Sequence, residues 1–124
     1  MKQQRPKNLN LFTIRFPIPA IASILHRLSG FILFIMTPFL LWVLHSSLSS
    51  QQSFENLQQA IANPFTKFVI WGTLSAFIYH FIAGIRHLFM DVGIGEELKS
   101  GRFTAMLTII LAVILSILTG LWLW

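Results

Sequence analysis

The fold is decided by the run LSGFILFIMTPFLLWVLHSSL at positions 28–48, which contains no Asp, Glu, Lys or Arg. As an α-helix, these 21 residues would be roughly 31 Å long, which is about the thickness of the hydrocarbon core of a bilayer. Inside a bilayer every backbone N–H and C=O group must find its hydrogen-bond partner within the protein, and a helix meets that demand within one segment. The run therefore predicts a transmembrane helix.

Two further apolar runs of similar length follow at positions 65–89 and 104–124. Three segments are too few to close a β-barrel, so all three are expected to be helical. The sequence predicts an all-α integral membrane protein with three transmembrane helices, at about residues 20–49, 64–90 and 103–124.

The connections between these helices can also be predicted. Asn63 followed by Pro64 is typical of an N-cap and a first-turn proline, which would open the second transmembrane helix. Residues 46–53 are rich in Ser and Gln and predict a polar loop. Residues 91–102 hold Gly and most of the acidic side chains, and they predict a second loop.

The composition excludes several classes of protein. The chain has 124 residues, and residues 1–124 are expected to form a single domain. Charged residues make up 10% and hydrophobic residues 55%, whereas a soluble domain carries about 25% charged residues. A soluble globule and a disordered chain are therefore both excluded. Because there is no cysteine, any metal must be bound through histidine or carboxylate groups.

Basic residues are unevenly distributed between the two ends of the predicted helices. Lys67 lies on one side, and the other eight of the nine lie on the opposite side: Lys2, Arg5, Lys7, Arg15, Arg27, Arg86, Lys99 and Arg102. Because positive residues favour the cytoplasmic side, the N-terminus is expected in the cytoplasm. The net charge of +5 therefore indicates orientation in a membrane lipid bilayer and not binding to nucleic acid.

A first polar cluster is formed by Ser23, His26 and Arg27, in the segment ASILHRLSG. Spacings of three and four residues bring these side chains to one face of a helix. A hydroxyl, an imidazole and a fixed positive charge could bind an anionic or carbonyl-bearing ligand there. The alternative is that Arg27 and His26 extend towards lipid headgroups without binding a ligand.

A second cluster, His80, Gly84, Arg86 and His87, lies in YHFIAGIRHLFMD. His80 and His87 are two helical turns apart, roughly 10 Å, so one metal ion cannot bind both. An imidazole inside a bilayer needs a partner. Haem iron could be that partner, with Gly84 leaving room for the macrocycle, and a hydrogen bond to another helix is the alternative. Asp91 could orient His87 or could simply end the helix in solvent.

These segments together resemble a known family. The similarity lies in RP at positions 5–6, TIRFPI at 13–18, SILHRLS at 23–29 and HFIAGIRHLFMDVG at 80–93. Each stretch places uncommon polar residues inside apolar sequence, and in this the chain resembles the cytochrome b membrane-anchor subunits of succinate dehydrogenase, respiratory complex II. Lys7 departs from the pattern, because the family more often has an apolar residue after RP.

The resemblance implies a role for each cluster. His80 would be an axial ligand of haem b, with the second axial histidine supplied by a partner anchor subunit. Ser23 and Arg27 would line the ubiquinone site, and His26 would lie near a haem propionate and the quinone pocket. Positions around these groups or at the cytoplasmic interface would be taken by Arg86, His87 and Asp91.

The resemblance also implies partners and an activity. The chain would form half of a six-helix membrane bundle, in a heterotetramer with a second anchor, an iron–sulfur subunit and a flavoprotein, and such heterotetramers can associate further into trimers. Succinate would bind elsewhere, and this chain would contribute only to ubiquinone reduction. A fumarate reductase anchor and a cofactor-free transporter or scaffold are the alternatives. Since no Arg/Ser-rich transit peptide is evident, we expect a bacterial inner membrane and not a mitochondrial one.

Overall fold

The computed structural model describes residues 15–124, which fold into four α-helices and no strands. The helices are α1 (Ile18–Ser49), α2 (Gln51–Ile61), α3 (Pro64–Asp91) and α4 (Leu98–Leu123). Three of these four, α1, α3 and α4, are long and apolar enough to cross a membrane. The prediction of an all-α protein with three transmembrane helices is therefore confirmed. The basic residues Lys2, Arg5 and Lys7, the RP pair and the first residues of TIRFPI lie outside the described residues.

The three long helices pack against one another, with α3 in contact with both α1 and α4. Small residues form the interfaces, since Ala22 on α1, Ala83 on α3 and Ala105 and Ala112 on α4 are all buried. In a membrane, small side chains let helix backbones approach closely, and that packing drives helix association. Large apolar side chains such as Phe34 point outward, where lipid would cover them.

The short helix α2 replaces the loop predicted at residues 46–53, so that prediction is wrong. α1 continues to Ser49, and α2 begins at Gln51. The Ser50 hydroxyl accepts a hydrogen bond from the Ser53 backbone N–H at 3.0 Å, which caps the helix. Leu57 is buried, and α2 packs against α1. The polar composition of this segment therefore belongs to an amphipathic surface helix.

The other two connections follow the sequence more closely. The Asn63 side chain accepts a hydrogen bond from Phe65 N–H at 2.9 Å, and Pro64 opens α3, as predicted. The second loop is shorter than predicted, because α4 begins at Leu98 and not near residue 103. Gly93 and Gly95 within it have φ values of 87° and 79°, a conformation that glycine adopts without steric cost.

The bundle has two ends with different chemistry. We call the end where α1 and α4 begin and α3 finishes the histidine end, because it carries His26, His80 and His87. The opposite end we call the tryptophan end, after Trp42 and Trp71 and the C-terminal tryptophans.

Candidate functional site

The site at the histidine end is centred on His80, whose ring reaches from α3 to the backbone of α1. Its Nδ1 lies 3.1 Å from the His26 carbonyl oxygen and 3.1 Å from the Ser29 hydroxyl. The Ser29 hydroxyl donates its proton to the same carbonyl at 2.8 Å. Both neighbours of Nδ1 therefore act as acceptors, so Nδ1 carries the ring proton and Nε2 is left with a free lone pair.

Gly30 makes room for the His80 ring against α1. A Cβ atom at this position would lie 2.9 Å from His80 Cε1 and 3.3 Å from Nδ1. Only glycine allows the ring this close to the helix backbone. At Gly84, which was expected to leave room for a macrocycle, an added Cβ would lie 3.8 Å from His26 Nε2, which is ordinary contact. The close approach of the His80 ring is made at Gly30, on α1.

His26 lies between the two histidines of α3. Its ring stacks on His80 with centroids 4.2 Å apart and planes 5° from parallel. It also contacts His87 at a centroid distance of 4.8 Å and an angle of 55°. His80 and His87 therefore face α1 from the same side of α3, as their spacing predicts.

The predicted cluster on α1 is divided by this packing. His26 is half-buried against α3, whereas the next residue, Arg27, is exposed. Ser23 is half-buried one turn earlier. Arg27 therefore presents its positive charge at the surface of the chain, where a ligand or another subunit can reach it.

Arg86 has a contact that the sequence did not reveal. Its side chain is only 7% exposed. Nε donates to the Thr104 hydroxyl at 3.2 Å and Nη2 donates to the Gly101 carbonyl at 3.2 Å. Arg86 thereby ties α3 to the first turns of α4. Asp91 is exposed at the end of α3, and no hydrogen bond joins it to His87 within the described residues.

Three contributors to the site were missed by sequence reasoning: Ser29, Gly30 and Tyr79. The Tyr79 hydroxyl donates to the Ala22 carbonyl at 2.6 Å, which fixes α1 next to Ser23. Ser29 is part of the quoted SILHRLS stretch, and its position three residues after His26 puts both on one helix face. Its contact with His80 spans 51 residues of sequence, so spacing alone could not reveal it.

The histidine end does not form a complete metal cage within the described residues. Within residues 15–124, no group of three or more His, Asp or Glu side chains is arranged to hold a metal ion. A metal bound at His80 would need its remaining ligands from a macrocycle or from another chain.

Comparison with known proteins gives a consistent result. Residues 1–119 match the family model described as the succinate dehydrogenase/fumarate reductase transmembrane subunit. The chain is similar to the succinate dehydrogenase cytochrome b556 subunit of Coxiella burnetii, with 42% identity over the full length of both chains. The subunit of that name from Paracoccus denitrificans is 30% identical over 93% of this chain and 88% of the relative. The one from Rickettsia felis is 31% identical over 93% and 90%. The similarity covers all three transmembrane helices and the histidine end, and the chain therefore belongs to the family of succinate dehydrogenase/fumarate reductase transmembrane subunits.

Proposed function

We propose that this chain is the haem b-binding membrane anchor of a bacterial succinate dehydrogenase and that it forms part of the site where ubiquinone is reduced. The observation that carries this proposal is the His80 imidazole, which is held through Nδ1 and has a free lone pair on Nε2. The names of the relatives, which are cytochrome b556 subunits, support the same cofactor.

The hydrogen bonds of the His80 ring fit the role of a haem ligand. Metal-binding histidines usually coordinate through one ring nitrogen while the other N–H donates to a carbonyl or a similar acceptor. His80 has this arrangement, with Nδ1 directed at the His26 carbonyl and the Ser29 hydroxyl. The hydrogen bond across to α1 therefore leaves the coordinating nitrogen available. When bound, haem supplies one-electron redox chemistry, and the protein sets its potential through the ligands and their surroundings.

The second axial ligand would come from a partner anchor subunit. His26 is the nearest other imidazole, but its ring stacks face to face on His80. Rings stacked in this way could not hold one iron from two sides, so His80 and His26 would not bind the same haem together. Within the described residues, His80 is thus suited to bind one side of the haem only.

The quinone site would be formed around Ser23 and Arg27. Arg27 is exposed and carries a fixed positive charge, which stabilises negative charge developing on a quinone oxygen as electrons arrive. The Ser23 hydroxyl can donate a hydrogen bond to the same ligand. The Tyr79–Ala22 hydrogen bond holds the backbone of α1 in place directly before Ser23.

Membership in this family supports a set of partners and a location. We expect a second anchor, an iron–sulfur subunit and a flavoprotein, with the soluble subunits on the cytoplasmic side, where the basic residues favour the histidine end. The bacterial relatives support an inner-membrane location. The family model also includes fumarate reductase subunits, but three relatives with succinate dehydrogenase names favour succinate oxidation. Family membership likewise favours an anchor over a transporter or scaffold.

The haem assignment is tested by a reduced-minus-oxidised absorption spectrum of the purified complex. We expect b-type bands that disappear in His80→Ala. His45→Ala is the matched control, because His45 is an exposed histidine near the other end of α1, and it should keep the bands. Undiminished bands in an assembled His80→Ala complex would show that another residue binds the haem.

The quinone assignment is tested by separating two electron acceptors. Arg27→Ala should lower quinone reduction about 100-fold, as expected when a charge-stabilising donor is lost. Succinate oxidation by a water-soluble artificial acceptor should be unchanged, since electrons then leave before reaching this chain. Lys67→Ala, at the tryptophan end, is the control. Normal quinone reduction in Arg27→Ala would contradict the assignment.

A further inference from the structure

We propose that Ser29 is a positioning residue for His80, fixing the orientation of the imidazole and raising its strength as a ligand. This inference rests on the proposed function, because it takes His80 to be an axial ligand of a haem. It assigns to Ser29 an effect on the haem that can be measured while the haem remains bound.

The hydrogen bonds around Ser29 run in one direction. Its hydroxyl uses its only O–H group to donate a hydrogen bond to the His26 carbonyl at 2.8 Å. Towards His80 Nδ1, which lies 3.1 Å away, the hydroxyl oxygen can therefore only accept a hydrogen bond. Ser29 is 5% exposed, so water scarcely competes for this contact. The hydroxyl oxygen therefore accepts a hydrogen bond from the Nδ1–H group of His80.

The His26 carbonyl is the second acceptor near the Nδ1–H group of His80. Its two lone pairs already receive the Ser29 hydroxyl and the backbone N–H one turn later in α1. Its distance from His80 Nδ1 is also 3.1 Å, but it has less capacity left for a third donor. Ser29 is thus a partner of Nδ1 in its own right, beside a carbonyl that already has two donors.

The ring is held on a second side by α1 itself. The position that a Gly30 Cβ would occupy lies 2.9 Å from His80 Cε1, so the ring edge lies directly on the helix backbone. With Nδ1 bonded to Ser29 and Cε1 against Gly30, the imidazole has one orientation and one tautomer. An acceptor on Nδ1–H makes Nε2 more basic, which would favour the oxidised state of a bound iron and lower its reduction potential.

Another serine of α1, Ser47, shows what a purely structural role for Ser29 would look like. Serine side chains in helices often bond to the carbonyl three or four residues earlier, and Ser47 does so with the Leu44 carbonyl at 2.8 Å. Ser29 differs from Ser47 by its additional contact with an imidazole of α3. Ser47→Ala is therefore a matched control that removes the helix contact alone.

The experiment compares the purified complexes of Ser29→Ala, Ser29→Cys and Ser47→Ala by redox titration of the b-type band and by electron paramagnetic resonance of the oxidised haem. In Ser29→Ala we expect the band to remain, the midpoint potential to become more positive and the g-values to shift as the ring gains freedom. Haem should also be lost about tenfold more readily in detergent, in line with the usual effect of losing such a partner. Ser47→Ala should match the unmodified chain.

Ser29→Cys keeps the shape of the side chain with a slightly larger atom but offers only a weak acceptor, so it should shift the potential in the same direction by less. This variant carries the test if Ser29→Ala does not assemble. Potentials and g-values equal to those of Ser47→Ala in an assembled Ser29 variant would overturn the positioning role. A complex without b-type bands, or bands that persist in His80→Ala, would instead overturn the proposed function itself.

Discussion

The two ends of this bundle join the same three helices in different ways. At the histidine end, polar side chains cross between helices at three places, through Tyr79, His80 and Arg86. At the tryptophan end, the described contacts between the long helices are apolar apart from the Trp71 indole, which donates to the Ser116 carbonyl at 2.8 Å.

The tryptophan end shows that these helices can pack with a single polar side chain between them. Ionisable groups inside a bilayer are costly and usually mark a functional site. The tryptophan end packs the same helices with one indole and with small residues such as Gly120. A Cβ added to Gly120 would lie 3.0 Å from Trp71 Nε1. We therefore expect substitutions of the imidazoles and the guanidinium at the other end to affect function as well as stability.

The largest effect is expected from Arg86→Ala. The substitution removes two hydrogen bonds from a buried charged group to α4, and such bonds contribute roughly 1.5–3 kcal/mol each when lost. We expect the free energy of unfolding of the purified complex to fall by about 2–3 kcal/mol, because Thr104 and Gly101 still bond to each other. The measurement is denaturant unfolding in detergent.

Arg102 supplies the control for Arg86. It is a nearby arginine that is exposed on α4, so Arg102→Ala should change the unfolding free energy by less than about 0.5 kcal/mol. Equal effects of the two substitutions would mean that the Arg86 contacts do not join α3 to α4.

A glycine pair tests the comparison between the ends more sharply. Gly30→Ala would place a Cβ 2.9 Å from His80 Cε1, so the ring must shift away from α1, at a cost of about 1–2 kcal/mol for overpacking. We expect the b-type absorption to fall with it. At Gly72, near the tryptophan end, nothing lies within 4 Å of the added atom. Gly72→Ala should leave the spectrum unchanged, and a similar loss of absorption in both variants would contradict the account.

The smallest effects are expected from removing one hydrogen bond at each end. Tyr79→Phe loses the bond to the Ala22 carbonyl, and Trp71→Phe loses the bond to the Ser116 carbonyl. Each should lower the unfolding free energy by about 1 kcal/mol. Only Tyr79→Phe should raise the KM for quinone, because Ala22 directly precedes Ser23. An unchanged KM in Tyr79→Phe, or a raised one in Trp71→Phe, would remove this distinction.

The fold was largely predictable from the sequence, because it depends on local properties. The length of the run at positions 28–48 sets a membrane span, and Asn63 with Pro64 marks a helix start from two adjacent residues. The helix α2 was missed because its polar residues dominate its composition. Its signals were the Ser50 cap and the apolar spacing of Phe54, Leu57 and Ile61, which lie three and four residues apart.

The candidate site was predicted only as far as single helices allow. The depth of His80 in an apolar run identified it as a residue that needs a partner. The partner itself lies on α1, and nothing in the spacing of α3 points to Ser29 or Gly30. For the same reason the close approach of the His80 ring to Gly30 could not be predicted, and room for a macrocycle at Gly84 stays a prediction. Contacts between helices depend on how each helix is rotated about its own axis, and that rotation cannot be read from a single sequence.

The central claim is that the Nε2 atom of His80 is a metal ligand held ready by α1. An experimental structure of the assembled membrane complex tests it most directly. We predict a haem iron on Nε2 of His80, Nδ1 bonded to Ser29 and a second histidine from the partner subunit on the opposite face. A fully assembled complex in which the His80 ring faces lipid, or bonds only to protein with no porphyrin beside it, would contradict it.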